Sequence, residues 1–409
     1  TRLRMVRADV PVGSYLSGGL DSSLVAAMAA RAKPSGFKTF SLRFADAEYD
    51  ETPYQRAMVE RLGTEHAEVL VSRKDIADVF PEVIGFTERP IVRTAPAPLF
   101  LLSRLVKQSG IKVVLTGEGS DEMLAGYDLF REAKVRRFWA VSPKSPWRPK
   151  LLERLYPYLT RSPVSQQALT RQFFGRGLER AKSPGFSHEP RWSGTAALKR
   201  LFSAEVKAGL AGGDVLKDFL ATLPGEFSSW PALAQDQYLE VRTLLSGYLL
   251  SSQGDRMLMG NSVEGRFPFL DREVIALANS LPPSFKLKVL DEKHVLKRVA
   301  RELVTPEILS RPKQPYRAPD ALSFVGAERP GWVDEVMSDA ALRDAGLFDA
   351  KAVAQLWAKC VSRKEDGQFS HSDNMAVVGV LSTQLVHQQL VRGAPNTRQP
   401  VLKTLVENV

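Results

Sequence analysis

Apolar and small residues gather at Val10, Val12, Tyr15 and Leu16, the pattern of a strand buried on both faces. Lys38-Thr39-Phe40-Ser41-Leu42-Arg43-Phe44 has strand character, His66 to Val71 reads as a third short strand, and Ile111 to Leu115 as a fourth. Between them the hydrophobic period lengthens. Leu24 to Ala30 is rich in good helix formers. A helix is predicted from about Glu51 to Leu62, ended by Gly63. Another is predicted from Pro96 to Gln108, with Leu99, Leu102, Leu105 and Val106 on one face and Gly110 just past its end. Strands alternating with helices predict an α/β fold, a parallel sheet with helices on both faces. Ligands in such sheets bind at the carboxyl ends of the strands.

From about Arg131 the pattern changes. Pro143, Pro146, Pro149, Pro157 and Pro163 break short helical pieces, and Lys182 to Gly194 reads as an exposed loop. From Ala232 helical periodicity dominates to Leu390, and the tail after Arg392 is expected to be loose. The expected organisation is one unit over 1–409: an α/β core to 130, a mostly helical insertion to 231, a helical part to 392, and the tail 393–409.

Composition narrows this only a little. The 409 residues suffice for a large core. No apolar run is long enough to span a membrane, and no secretory leader is evident. The single cysteine, Cys360, excludes an intramolecular disulfide framework and fits a reducing cytoplasm. It lies in a helical pattern and reads as a packing residue. The net charge of +10, from 56 Lys+Arg against 46 Asp+Glu, could serve nucleic acid or an anionic small molecule. The basic residues fall in scattered groups, Lys134 to Arg137, Lys144 to Arg154 and Arg171 to Arg180, without interleaved aromatics. They read as solvated helical surface, so neither nucleic acid nor membrane is expected as a partner.

Two stretches carry chemistry. In Tyr15-Leu16-Ser17-Gly18-Gly19-Leu20-Asp21-Ser22-Ser23 a strand runs into a glycine turn that opens a helix. Gly18 and Gly19 let backbone approach a ligand, and the free amides at the helix start favour an anion. Ser17, Ser22 and Ser23 add hydroxyls, and Asp21 supplies a carboxylate able to hold Mg²⁺ against a polyphosphate. A helix cap alone would account for Asp21, but the whole string reads as a pyrophosphate cradle. No Gly-Lys-Ser/Thr follows, which excludes a Walker A loop. In Val113-Val114-Leu115-Thr116-Gly117-Glu118-Gly119-Ser120-Asp121-Glu122 a second strand enters a glycine loop, now with three carboxylates. A third stretch, Asp255-Arg256-Met257 with Ser262 to Asp271, gives little from spacing. Arg266 and Asp271 could simply tie helices together. Lys313, among prolines in Ser310 to Tyr316, would ordinarily be a surface residue.

Taken together these stretches resemble the synthetase domain of glutamine-dependent asparagine synthetases, in the PP-loop ATP pyrophosphatase superfamily. The resemblance covers nearly the whole chain, through Asp373-Asn374-Met375. It implies an enzyme, an ATP-dependent carbon–nitrogen ligase. ATP and the aspartate side chain would form β-aspartyl-AMP and pyrophosphate, and ammonia would displace AMP to give asparagine. By position in matching motifs, Ser17, Gly18, Gly19, Asp21, Ser22 and Ser23 would hold pyrophosphate. Leu16, Leu42 and Gly117 would border the adenosine, Asp21 and Asp121 would ligate Mg²⁺, and Lys313 would cover the phosphates. Glu118 would assist the attack of ammonia, and Arg93 matches an arginine near the acidic substrate or pyrophosphate. Pro90 and Ile91 stand where two threonines are expected, and Ser251 to Gly254 also diverges, so another carboxylate is an alternative acceptor, as for β-lactam synthetases and lasso-peptide cyclases. A tRNA-modifying adenylase and a non-catalytic nucleotide-binding regulator are weaker alternatives. The family's usual glutaminase domain is not in this chain, so free ammonia, or a glutaminase domain or subunit, is expected to supply nitrogen. A homodimer is an open expectation.

Overall fold

The computed structural model describes residues 1–33, 35–155, 170–311, 313–314, 316–363 and 369–393. Five strands, β1 (Val12–Tyr15), β2 (Lys38–Phe44), β3 (Glu65–Val71), β4 (Val113–Leu115) and β5 (Glu264–Arg266), form one sheet in the order β3-β2-β1-β4-β5. Every neighbouring pair is parallel. The chain builds outward from β1 through β2 to β3, then crosses to place β4 on the other side of β1. That reversal opens a crevice at the carboxyl ends of β1 and β4, and both glycine motifs emerge there.

The strand pleat divides the core into two layers. Val113 and Leu115 face a cluster with Val12, Leu16, Val25, Ala26, Phe269 and Ala300. Val114, between them, faces the opposite cluster with Phe40, Phe80, Phe100, Val377 and Leu381. Period-two alternation in a strand buried on both sides gives that division.

The predicted elements of the core are present, with small shifts at their ends. Early helices are α1 (Arg2–Val6), α2 (Leu20–Ala32), α3 (Thr52–Leu62), α4 (Arg73–Thr87), α5 (Pro96–Gln108), α6 (Ser120–Leu124) and α7 (Asp128–Ala140). Gly63 ends α3 in the left-handed conformation with φ 60°. Helix α4 was not foreseen. Its capping box joins Ser72 and Asp75, while Pro81 inside it obscures the helical signal.

Three expectations are corrected. The helical second half contains a strand, β5, in the third motif stretch. The stretch Lys182 to Gly194 is not an exposed loop: Phe186, Ser187 and His188 are buried, and Glu189–Ala196 is helical. The Lys134 to Arg137 group is not solvated surface throughout. Arg136 is 1% exposed, and its guanidinium donates to the carbonyls of Phe174, Phe186 and Arg176 at 2.9 to 3.1 Å. Cys360 is buried, as its helical setting suggested. Arg266 and Asp271 do tie elements together, through the carbonyls of Arg4 and Arg7 and the side chain of Arg4. Pro157, Pro163 and the tail from 394 lie outside the described residues. No helix among the described residues is long and apolar enough to cross a membrane.

Candidate active site

β1 ends in a turn built without side chains. Gly18 has φ 76°, and a Cβ there would lie 2.8 Å from Tyr54 Cβ and 3.0 Å from the Gln55 amide nitrogen. Only glycine fits both the conformation and the space. Ser22, in the first turn of α2, folds back onto the turn: its hydroxyl accepts from the Ser17 amide at 3.0 Å and lies 2.8 Å from the Ser17 hydroxyl. Ser23 Oγ is buried without a hydrogen-bond partner among the described residues. Leu16 and Leu42 stand at the ends of β1 and β2, tied by the Ser41 hydroxyl donating to the Leu16 carbonyl.

The second loop lies directly against this turn. A Cβ on Gly117 would come 2.9 Å from Asp21 Cβ and 3.0 Å from the Ser22 amide nitrogen. Absence of a side chain at Gly117 therefore lets the two motifs touch. Ser120 Oγ donates to Asp21 Oδ1 at 2.7 Å. Gly119, at φ 91°, turns the loop into α6, which carries Asp121.

Two lysines bind the two aspartates. Lys293 Nζ sits 2.5 Å from Asp21 Oδ2 and 2.7 Å from Asp121 Oδ1. Lys313 Nζ lies 2.7 Å from Asp121 Oδ2 and 4.0 Å from Asp21 Oδ2. Burial opposes ionisation of Asp121, but the two ammoniums override it and lower its pKa from 3.8 to about 2. Burial likewise opposes the charge on Lys313, and Asp121 and Asp21 overcome that to raise its pKa. Tyr127 lies under the Lys313 ammonium, 5.9 Å from ring centre to Nζ, and its hydroxyl donates to Glu122 at 2.9 Å. Because both aspartates touch one ammonium, the pair can face a single cation. Among the described residues no group of three His, Cys, Asp or Glu forms a metal site. Two carboxylates meeting at one ammonium are hard oxygen donors of the kind a divalent cation takes.

Lys293 was not foreseen. It lies in the charged run Asp291-Glu292-Lys293-His294, which reads as a solvated turn. Its left-handed conformation, φ 51°, has no reliable sequence signature outside glycine and asparagine.

Glu118 follows Gly117 at the same loop. Its Oε2 is buried without a hydrogen-bond partner among the described residues, and burial raises its pKa against the opposing bonds to Thr116 and its own backbone, with Asp21 and Asp255 adding to the rise. Tyr15 OH, also buried and unpartnered, is close enough to feel the Glu118 charge. Arg93 stands apart from the aspartates. Its guanidinium pairs with Asp320 at 3.1 Å and contacts the ring of His371 at the start of the long helix His371–Val386. The structure thus brings Ser17, Gly18, Gly19, Asp21, Ser22, Ser23, Gly117, Glu118, Asp121 and Lys313 to one crevice and leaves Arg93 held by an acid of its own.

A glycine turn between β1 and α2, faced by a second glycine loop with acids and two lysines, defines an α/β protein of the PP-loop type. The chain belongs to the asparagine synthase family, whose family model matches residues 1–388. A putative glutamine-hydrolysing asparagine synthetase of Mycobacterium bovis is 32% identical over 319 residues, covering 77% of this chain and 46% of the relative. Asparagine synthetase 1 of Bacillus subtilis is 29% identical, with 82% of this chain and 50% of the relative covered. A Penicillium rubens protein named amidase chyE is 27% identical, with 88% and 57% covered. The chain spans about half the length of the curated relatives it matches.

Proposed function

We propose that this chain uses ATP to activate the side-chain carboxylate of aspartate and transfers ammonia to it, giving asparagine, AMP and pyrophosphate. A carboxylate oxygen attacks the α-phosphorus, and the bond to the pyrophosphate oxygen breaks. Ammonia then attacks the acyl carbon, AMP leaves, and one proton is released. The observation that carries this reading is the convergence of the Gly18 turn, Gly117, Asp21, Asp121, Lys293 and Lys313 at the switch point between β1 and β4.

The turn and the start of α2 bind the phosphates through amides and hydroxyls. Lys313 offers a point charge to the leaving pyrophosphate. Lys293 orients both aspartates. Asp21 and Asp121 would hold Mg²⁺, which when bound neutralises phosphate charge. Glu118, buried beside the turn, accepts a proton from the attacking ammonia, and Leu16, Leu42 and Gly117 border the adenosine. Arg93, now paired with Asp320, would serve the acidic substrate or the pyrophosphate. Ammonia reaches the site free or from a glutaminase domain or subunit.

The test is to measure AMP and pyrophosphate from ATP, Mg²⁺ and ammonium, with and without aspartate. Aspartate-dependent release of both, with asparagine as product, supports the reading. AMP release with other carboxylates but not aspartate would move the acceptor elsewhere, a reading favoured by the relative named an amidase. Glu118→Gln separates the half-reactions. In single turnover with ¹⁸O-labelled carboxylate, label should still reach AMP while amide formation falls about a hundredfold or more.

A further inference from the structure

The helix Ala232–Glu240 carries three buried polar side chains, each tied to a different element. Asp236 takes both terminal nitrogens of Arg137 on α7 at 2.6 Å. Glu240 accepts from Arg191 and pairs with His188 Nε2 at 2.8 Å, which anchors the helix to the 131–231 segment. Gln237 points the other way, into α6.

Helix α6 has five residues and carries Asp121. A helix so short leaves its last carbonyls without amides of its own. Ala125, at φ 56°, turns the chain, and the amides of Ala125 and Gly126 both go to the Asp121 carbonyl. The carbonyls of Glu122 and Met123 are met by one side-chain amide: Gln237 Nε2 lies 2.5 Å from the first and 2.8 Å from the second. The amide faces them because Lys286 Nζ holds its oxygen at 3.0 Å. An ammonium can only donate, so it fixes Oε1 on its own side and turns both N–H groups toward α6. Lys286 is 4% exposed, and among the described residues Gln237 is its hydrogen-bond partner.

We propose that Gln237, oriented by Lys286, is a positioning residue for ATP binding: it caps α6 and so sets Asp121 between Lys293 and Lys313. The proposal rests on the ATP-site reading above. Gln237 touches neither the aspartates nor the lysines that meet them, and acts only through the backbone of α6.

Gln237→Glu tests it. The substitution keeps the shape and gives Lys286 a carboxylate, so packing and the buried ammonium remain satisfied. It also turns two donors into an acceptor facing two carbonyl oxygens, which pushes α6 away. Lys286→Met frees the amide to rotate while leaving Gln237 in place. The readouts are the dissociation constant for ATP with Mg²⁺, measured by calorimetry without acceptor, and thermal unfolding. The expected result is a weakening of about tenfold or more in both variants, since a misplacement of an ångström or less is costly at such a site, with native unfolding transitions. Wild-type affinity in both folded variants would overturn the proposal. So would a loss of binding that only tracks the fraction unfolded. Should Gln237→Glu not fold, Lys286→Met decides by the same criteria. Wild-type protein that binds no ATP would sink the ATP-site reading itself, a result distinct from unchanged variants.

Discussion

Gly117→Ala probes the contact between the two motifs. The new Cβ would lie 2.9 Å from Asp21 Cβ and 3.0 Å from the Ser22 amide nitrogen. Ordinary contact needs 3.4 Å or more, so the loop or the start of α2 must give by about half an ångström. The nearest atoms are a Cβ and backbone, which cannot swing aside as a long side chain would. The backbone conformation of Gly117 is open to any residue, so the penalty is steric alone. Overpacking of this kind costs about 1–3 kcal/mol. The displacement falls on Asp21, which must meet Lys293 at 2.5 Å and Ser120 at 2.7 Å. Turnover of ATP to AMP should therefore fall about ten- to a hundredfold, while the melting temperature drops by a few degrees. Gly194→Ala is the control. It lies inside the helix Glu189–Ala196, and a Cβ added there would meet nothing within 4 Å, so alanine should stabilise by about 0.5–1 kcal/mol and leave turnover alone. Wild-type turnover in Gly117→Ala would refute the close-contact argument.

Lys293→Met leaves two carboxylates facing each other with only Lys313 between them, so a chemical-denaturation midpoint should report a loss of about 3 kcal/mol or more; an unchanged midpoint would mean that the ammonium is not a structural counter-ion. Ser370 caps the long helix by accepting from the Asp373 amide, and the Asp373 carboxylate pairs with Lys359 at 2.7 Å. Burial opposes its charge, but these bonds prevail and lower its pKa from 3.8. Its contribution to stability is therefore present above about pH 4 and fades as the pH falls through the folded pKa. The melting-temperature gap between wild type and Asp373→Asn should close on acidification, and a constant gap would contradict the assignment. Burial raises the Cys360 thiol to about 11, so a thiol reagent at pH 8 should label denatured protein and spare the folded form. Rapid labelling of the native chain would show that the helix opens there.

Strands β1 and β4 were legible as apolar runs closed by a turn signal, β2 and β3 as mixed runs ending in Leu42-Arg43-Phe44 and Val69-Leu70-Val71, and their alternation with helices left few topologies. Strand β5 was not. Glu264, Gly265 and Arg266 show no alternation, and what makes them a strand is the open edge of β4 waiting to be paired, including the Glu264 amide donating to the Lys112 carbonyl. The same distinction separates the site residues. Gly18 and Gly117 lie in loops whose composition announces close backbone approach, and Asp21 and Asp121 in the first turns of the helices those loops open. Lys293, just before the helix His294–Ala300, and Gln237, on the helix Ala232–Glu240, act from distant parts of the chain with no such loop beside them. Arg136 shows the converse. A cation in a basic run looks solvated, yet three carbonyls spaced along the 174–186 segment pull it inside.

The four charges at the centre belong together for an electrostatic reason. Asp21 and Asp121, brought together by the Gly117 contact, would repel at short range in a partly buried crevice, where screening by water is weak. Lys293 and Lys313 offset that charge, so the two motifs can meet. The arrangement also prepares the crevice for a polyanion. Lys293 is 3% exposed at its side chain and is bound to both acids, whereas Lys313 is 23% exposed and reaches Asp21 only at 4.0 Å. The inner lysine thus holds the acids in register. Among the described residues the outer one makes its close ion pair with Asp121, and on the proposed ATP-site reading it would turn toward phosphate oxygens. Exchanging the roles by Lys313→Met should spare the folded stability that Lys293→Met loses, and should weaken ATP binding instead. Equal losses of stability in the two variants would show that the inner and outer lysines do not divide the work in this way.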